Sequence, residues 1–61
     1  MIEILKSLNG KRFDLFLKND KFIEVQPNFE VVTTDKMCVI KGLTHKYYIN
    51  IDSISHISEF I

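Results

Sequence analysis

The chain has no tryptophan, one cysteine, one proline and two glycines. A single cysteine, Cys38, excludes an internal disulfide. It lies in the apolar run Met37-Cys38-Val39-Ile40, where a free thiol behaves as a small core side chain. A lone thiol also suits a reducing compartment better than a secreted disulfide scaffold, so a cytoplasmic location is expected. An excess of either charge is missing too: eight basic and eight acidic residues give a formal net charge of zero. That balance leaves no strong electrostatic footprint for nucleic acid or an anionic membrane. It also gives weak protection against self-association. No apolar run approaches the roughly 20 residues of a membrane span, and the N-terminus lacks the basic region and apolar core of a signal peptide.

Signatures of chemistry are equally sparse. There is no nucleophile elbow, no Gly-rich phosphate loop and no His-Glu-x-x-His. Cys38, His45, Asp52 and His56 are too scattered for a zinc signature. The Asp52…His56 spacing could bring an acid near a base, but a turn capped by Asp52 beside a surface His56 explains it more simply, because a catalytic pair also needs a nucleophile and a pocket. The expectation is a protein with no catalytic residue, no metal and no cofactor.

What the chain does have is apolar material: 46% hydrophobic residues, five of them Phe, within 61 residues. That suffices for one small globular domain over 1–61 and rules out a disordered tail. The organising stretch is 46–57, Lys-Tyr-Tyr-Ile-Asn-Ile-Asp-Ser-Ile-Ser-His-Ile. Tyr47, Ile49 and Ile51 sit two apart and can share one face of a strand. Asp52-Ser53 favours a tight turn, and a short last strand follows. The rival is a C-terminal helix with Ile54, Ile57 and Ile61 on one face; Ser53, Ser55 and Ser58 argue against it.

Along the rest of the chain, Met1, Ile4, Leu5 and Leu8 have helical spacing, with Asn9-Gly10 suited to a left-handed helix end. A strand using Ile2 and Ile4 is the alternative. Either way this segment would cover an edge or end of a sheet. Segment 11–18 reads as a strand, with Phe13, Leu15 and Leu17 alternating with Arg12, Asp14 and Phe16. After the Asn19-Asp20 turn, 22–26 gives a second strand, with Ile23 and Val25 opposed to Phe22 and Glu24. Pro27-Asn28 ends it. A third strand over 29–34 sets Phe29, Val31 and Thr33 against Glu30, Val32 and Thr34. Asp35-Lys36 turns into a fourth, 37–41, apolar on both faces, and Gly42 breaks it before a loop at 43–45. Such short strands and tight turns leave no room for crossover helices, which forces antiparallel pairing. The expected fold is mainly all-β: a five- to six-stranded antiparallel barrel, since closure removes exposed edges, with the N-terminus either helix or strand.

Leu8-Asn9-Gly10-Lys11, the Phe13/Leu15/Leu17 strand and the closing segment from Tyr48 to Ile57 together resemble the layout of the Sm-like and src-homology-3-like small barrels. The ending Ile54-Ser55-His56-Ile57 is similar to the closing Ile-Ser-x-Ile of the bacterial Sm-like RNA chaperones. The resemblance implies a short N-terminal helix, four strands, a one-turn helix, a last strand and pairing through edge strands. The chain departs from those chaperones where their basic Lys-His pair would fall, which is Asn50-Ile51 or Ile51-Asp52 here, and it lacks the glycine that bends their second strand. Their RNA-binding residues therefore do not carry over.

Two surfaces remain as candidates. Phe16, Phe22, Tyr48 and the terminal Phe60 fall away from the expected core; aromatics of this kind dominate protein interfaces. A protein-binding patch of Phe16, Phe22 and Tyr48 rimmed by Glu24 and Lys46 makes a self-associating interaction module the leading expectation. Lys41, Lys46, Tyr47 and Tyr48, near His45, offer charge for phosphates and rings for bases, so an Sm-like RNA- or DNA-binding protein is the alternative. The interleaved acids Asp14, Asp20, Glu24 and Asp35 weigh against it. A third expectation, permitted by size alone, is a small inhibitor of a larger host protein, of the kind phages encode.

Overall fold

A computed structural model describes residues 1–60. The helical spacing at the N-terminus resolves as helix α1 (Ile2–Ser7). Leu5 and Leu8 enter the core while Met1 and Ile4 of the same expected face remain exposed. A helix this short presents only one turn to the core, so four positions cannot all reach it. Gly10 takes φ +86 in the turn that follows, where Lys11 N–H donates to the Leu8 carbonyl. That is the left-handed conformation glycine adopts without strain.

Six strands follow: β1 (Phe13–Leu17), β2 (Phe22–Val25), β3 (Glu30–Thr33), β4 (Met37–Lys41), β5 (Lys46–Asn50) and β6 (Ile54–Glu59). They form two antiparallel three-stranded sheets, ordered β2-β1-β6 and β3-β4-β5. No strand ladder joins the two sheets among the described residues, so what stands is a mainly β protein of two sheets. The C-terminal segment is strand β6, not a helix; Ile61, which the helical alternative required, lies outside the described residues.

The turns follow their residues. Between β1 and β2, Leu17 N–H donates to the Lys21 carbonyl and Asp20 N–H to the Leu17 carbonyl. Asp20 has φ 68, and Asn19 Oδ1 accepts from Lys21 N–H at 3.1 Å. This is a three-residue hairpin loop whose left-handed position falls to an aspartate, one of the few residues besides glycine that tolerates it. Pro27 sits in the corner between β2 and β3, bridged by a bond from Phe29 N–H to the Gln26 carbonyl. Gly42 sits at a close approach: a Cβ there would lie 3.2 Å from the Phe29 ring, which would have to shift by a few tenths of an ångström to admit it.

The expected one-turn helix is a 3-10 turn over Ile51–Ser53. It pins the two sheets together at one corner. Ile51 N–H donates to the Lys36 carbonyl on the side of β4, and the Ser53 carbonyl accepts from Lys18 N–H at the end of β1. At the opposite edge, Asn9 Oδ1 accepts from Val31 N–H at 3.2 Å, so the segment after α1 covers the free edge of β3 as expected of it.

One hydrophobic cluster draws on both sheets and the helix: Leu5, Phe13, Leu15, Cys38 and Ile40 have no exposed surface, and Val25, Val31, Ile49 and Ile54 nearly none. Cys38 is the small core side chain its apolar run implies, and burial pushes its thiol pKa up. The Cα radius of gyration, 10.3 Å, is that of a close-packed chain of this length.

Candidate functional site

Each strand alternates, so each sheet has an inner face, spent on the core, and an outer one. On the outer face of the β2-β1-β6 sheet, the register aligns Phe22, Phe16 and His56 in one row and Glu24, Asp14 and Ser58 in the next. The first row is a stack of rings. Phe16 lies 5.3 Å from Phe22 and 4.4 Å from His56, centroid to centroid, with interplanar angles of 26° and 9°. Phe16, between its two ring neighbours, is partly buried. Phe22 at the edge is 51% exposed.

On the outer face of the β3-β4-β5 sheet, Val32, Val39 and Tyr48 form one row, and Glu30, Lys41 and Lys46 the next. Val32 is 50% and Tyr48 65% exposed. The Lys46 ammonium sits 5.3 Å from the Tyr48 ring centroid, a cation–π contact at an exposed site. These six residues line a shallow concavity of about 320 Å³. A second, of about 380 Å³, lies at the corner made by the β1–β2 turn, the end of β5 and the 3-10 turn; Tyr48 lines both.

The candidate protein-binding residues are therefore divided. Phe16, Phe22 and Glu24 share the outer face of one sheet, while Tyr48 and Lys46 share that of the other. Alternation shows which residues point outward but not which sheet each strand joins, which is why the sequence suggested a single patch. Phe60 is apart again, with the Arg12 guanidinium 4.3 Å over its ring. Of the candidate nucleic-acid residues, Lys41, Lys46 and Tyr48 converge on one outer face. Tyr47 points to the other side, packed against the core and 6.1 Å from the His45 ring.

The row of Val32, Val39 and Tyr48 carries no signal in the sequence, because a valine on a polar face is unremarkable until its row is known. The charged outer groups are mostly unpaired; Lys11 and Glu59, 3.9 Å apart and well exposed, form the ion pair found among the described residues. No group of three or more His, Cys, Asp or Glu gathers to hold a metal among the described residues. No helix among them is long and apolar enough to cross a membrane. No protein-family model, curated protein or solved structure matches the chain.

Proposed function

We propose that this chain is a non-enzymatic interaction module, a single cytoplasmic domain that acts through protein contacts and associates with itself. The observation that carries this reading is the half-exposed apolar row on the outside of each sheet, with Phe22, Val32 and Tyr48 at the edges. Large apolar side chains aligned on a sheet face gain most when a second surface takes them out of water. We also read the two sheets as halves of a small open barrel of the Sm-like and src-homology-3-like layout. Supporting it are the N-terminal helix, the 3-10 turn before the last strand, and the pairing of β6 with β1.

One observation favours nucleic-acid binding as the second reading: Lys41, Lys46 and Tyr48 share a face. Glu30 in the same row weakens it. A third role, as a small inhibitor seated on a larger protein, would use the same outer faces.

Light scattering coupled to gel filtration, at low and high salt and with the ultraviolet absorbance ratio recorded, separates these. A mass above the monomer, stable to salt and free of nucleic acid, is the expected result. An assembly carrying RNA that salt strips away would establish the second reading, because phosphate contacts weaken steeply with ionic strength. A monomer at every concentration would end the self-association reading.

A further inference from the structure

We infer that the partner is a second copy of this chain and that the contact is head to tail: the outer face of β2-β1-β6 in one copy seats on the outer face of β3-β4-β5 in the next. This rests on the self-association proposed above and assigns its geometry.

The order of residues across each face decides how two copies fit. For an L-residue whose strand runs upward with its side chain toward the viewer, its own N–H and C=O point to the viewer's right, and they alternate sides along the strand. Inward-facing Leu17 bonds toward β2, through its N–H to the Lys21 carbonyl. Outward-facing Asp14 and Phe16 therefore bond toward β6. Seen from outside with the ring row uppermost, that row reads Phe22, Phe16, His56 from left to right. On the other sheet, outward-facing Met37 bonds toward β3, since its carbonyl accepts from Thr34 N–H. With the apolar row uppermost, β4 runs downward, and the row reads Val32, Val39, Tyr48.

Docking one face on the other reverses the second order. Tyr48 then meets Phe22, Val39 meets Phe16, and Val32 meets His56. In the row below, Lys46 meets Glu24, Lys41 meets Asp14, and Glu30, the one acid on its face, meets the neutral Ser58. Apolar lies on apolar at Tyr48–Phe22 and Val39–Phe16, Val32 lies on the His56 ring, each lysine lies on a carboxylate, and no like charges are opposed. The two symmetric alternatives are poorer. A twofold pairing of the β3-β4-β5 face with itself sets Lys41 against Lys41, and one of the β2-β1-β6 face sets Asp14 against Asp14. Like charges directly opposed disfavour both.

Two consequences follow. About six residues a side is far below the 20–30 of a standard stable interface, so the contact is weak and appears at about 100 μM or above. A heterologous contact between two different faces leaves one of each free, so growth continues beyond the dimer. A net charge of zero removes the long-range repulsion that would oppose it.

The test uses two charge-reversed variants of the full chain, Asp14→Lys/Glu24→Lys and Lys41→Glu/Lys46→Glu, with folding of each checked by circular dichroism. Sedimentation equilibrium is run on wild type, on each variant and on their equimolar mixture, from about 20 μM to 1 mM. The expected results are a wild-type average mass that rises without a plateau at the dimer, and at least tenfold weaker association for either variant alone. The mixture should regain growth beyond the dimer with the two variants alternating, because each retains the wild-type face the other lacks and the two reversed faces again set lysines against carboxylates. Loss in the lysine variant only, with a wild-type plateau at the dimer, would overturn the head-to-tail geometry in favour of a twofold pair. Association unchanged in both variants would overturn it in favour of edge-strand pairing. In both cases the self-association reading survives. Wild type monomeric at 1 mM would overturn both.

Discussion

Phe13 and Phe22 belong to the same sheet, on adjacent strands, yet Phe13 has no exposed surface and Phe22 keeps half of its own. The same contrast holds across the other sheet between Ile40 and Val32. Residue type is not what separates them; the side of the strand is. The inner rows hold the fold together, and the outer rows carry apolar side chains, Phe22, Val32 and Tyr48, that the single chain leaves at least half exposed. Substitutions on the inner face should therefore act on stability, and those on the outer face on association.

The largest effect should come from Phe13→Ala. Emptying a fully buried phenylalanine costs about 3–5 kcal/mol, comparable with the total stability of a core this small, roughly 3–5 kcal/mol. The expected outcome is a chain without a cooperative thermal transition. Phe22→Ala, on the neighbouring strand, should still melt cooperatively. If the two variants melted alike, the division between faces would be wrong.

Next comes a gain. Thr33 points inward, and its Oγ1 is buried with no hydrogen-bond partner among the described residues. Leaving a buried hydroxyl unpaired costs about 1–3 kcal/mol, whereas a methyl of the same shape costs nothing of that kind. Thr33→Val should stabilise by about 1 kcal/mol, raising Tm by about 4–8 °C at this size. A fall in Tm would mean that the hydroxyl has a partner the side chain reaches by rotating.

A smaller effect depends on pH. Burial disfavours the Cys38 thiolate, so the folded protein holds its thiol proton above the ordinary value of 9.0. The unfolded chain ionises first. The contribution is fully present below about pH 9 and is lost as pH climbs through the folded value. Wild type should therefore lose Tm more steeply than Cys38→Ala between pH 8 and 10.5. Parallel curves would show that Cys38 reaches water in the native state.

Much of this division was legible in the sequence. The alternation of Phe13, Leu15 and Leu17 with Asp14 and Phe16 located the inner row of β1, and Cys38 was assigned to the core from its apolar run alone. The turns were legible where Asn19-Asp20, Pro27 and Gly42 mark them. What could not be read was long-range pairing. Period-2 patterning fixes which residues share a side of one strand, but it is silent on which strand lies beside it. That is why Phe16 and Tyr48 were expected in one patch and lie on different sheets, and why the neighbours of Val32 went unnoticed. At α1 the helical period was correct, but six residues could turn only Leu5 and, beyond its end, Leu8 inward. Closure into a barrel depends on contacts between strands far apart in sequence, which no local pattern encodes.

The smallest effect on folding, and the sharpest on the proposed function, belongs to Tyr48→Ala. Tyr48 is 65% exposed, its ring touches the Lys46 ammonium and borders both concavities, and it faces away from the core. Substitutions at such surface positions usually change stability by no more than about 0.5 kcal/mol. Losing the exposed cation–π contact adds at most about 1 kcal/mol. In an interface the same ring would be withdrawn from water against Phe22, where truncating an aromatic anchor typically costs about 2 kcal/mol or more, a loss of roughly 30-fold in affinity. Tyr48→Ala should thus keep its Tm within a few degrees of wild type while its association weakens by more than tenfold in sedimentation equilibrium. Tyr48→Phe, which keeps the ring and removes only the hydroxyl, should retain association. Equal losses of stability and association in Tyr48→Ala would place the ring in the service of the fold, and the outer row would then be an extension of the core.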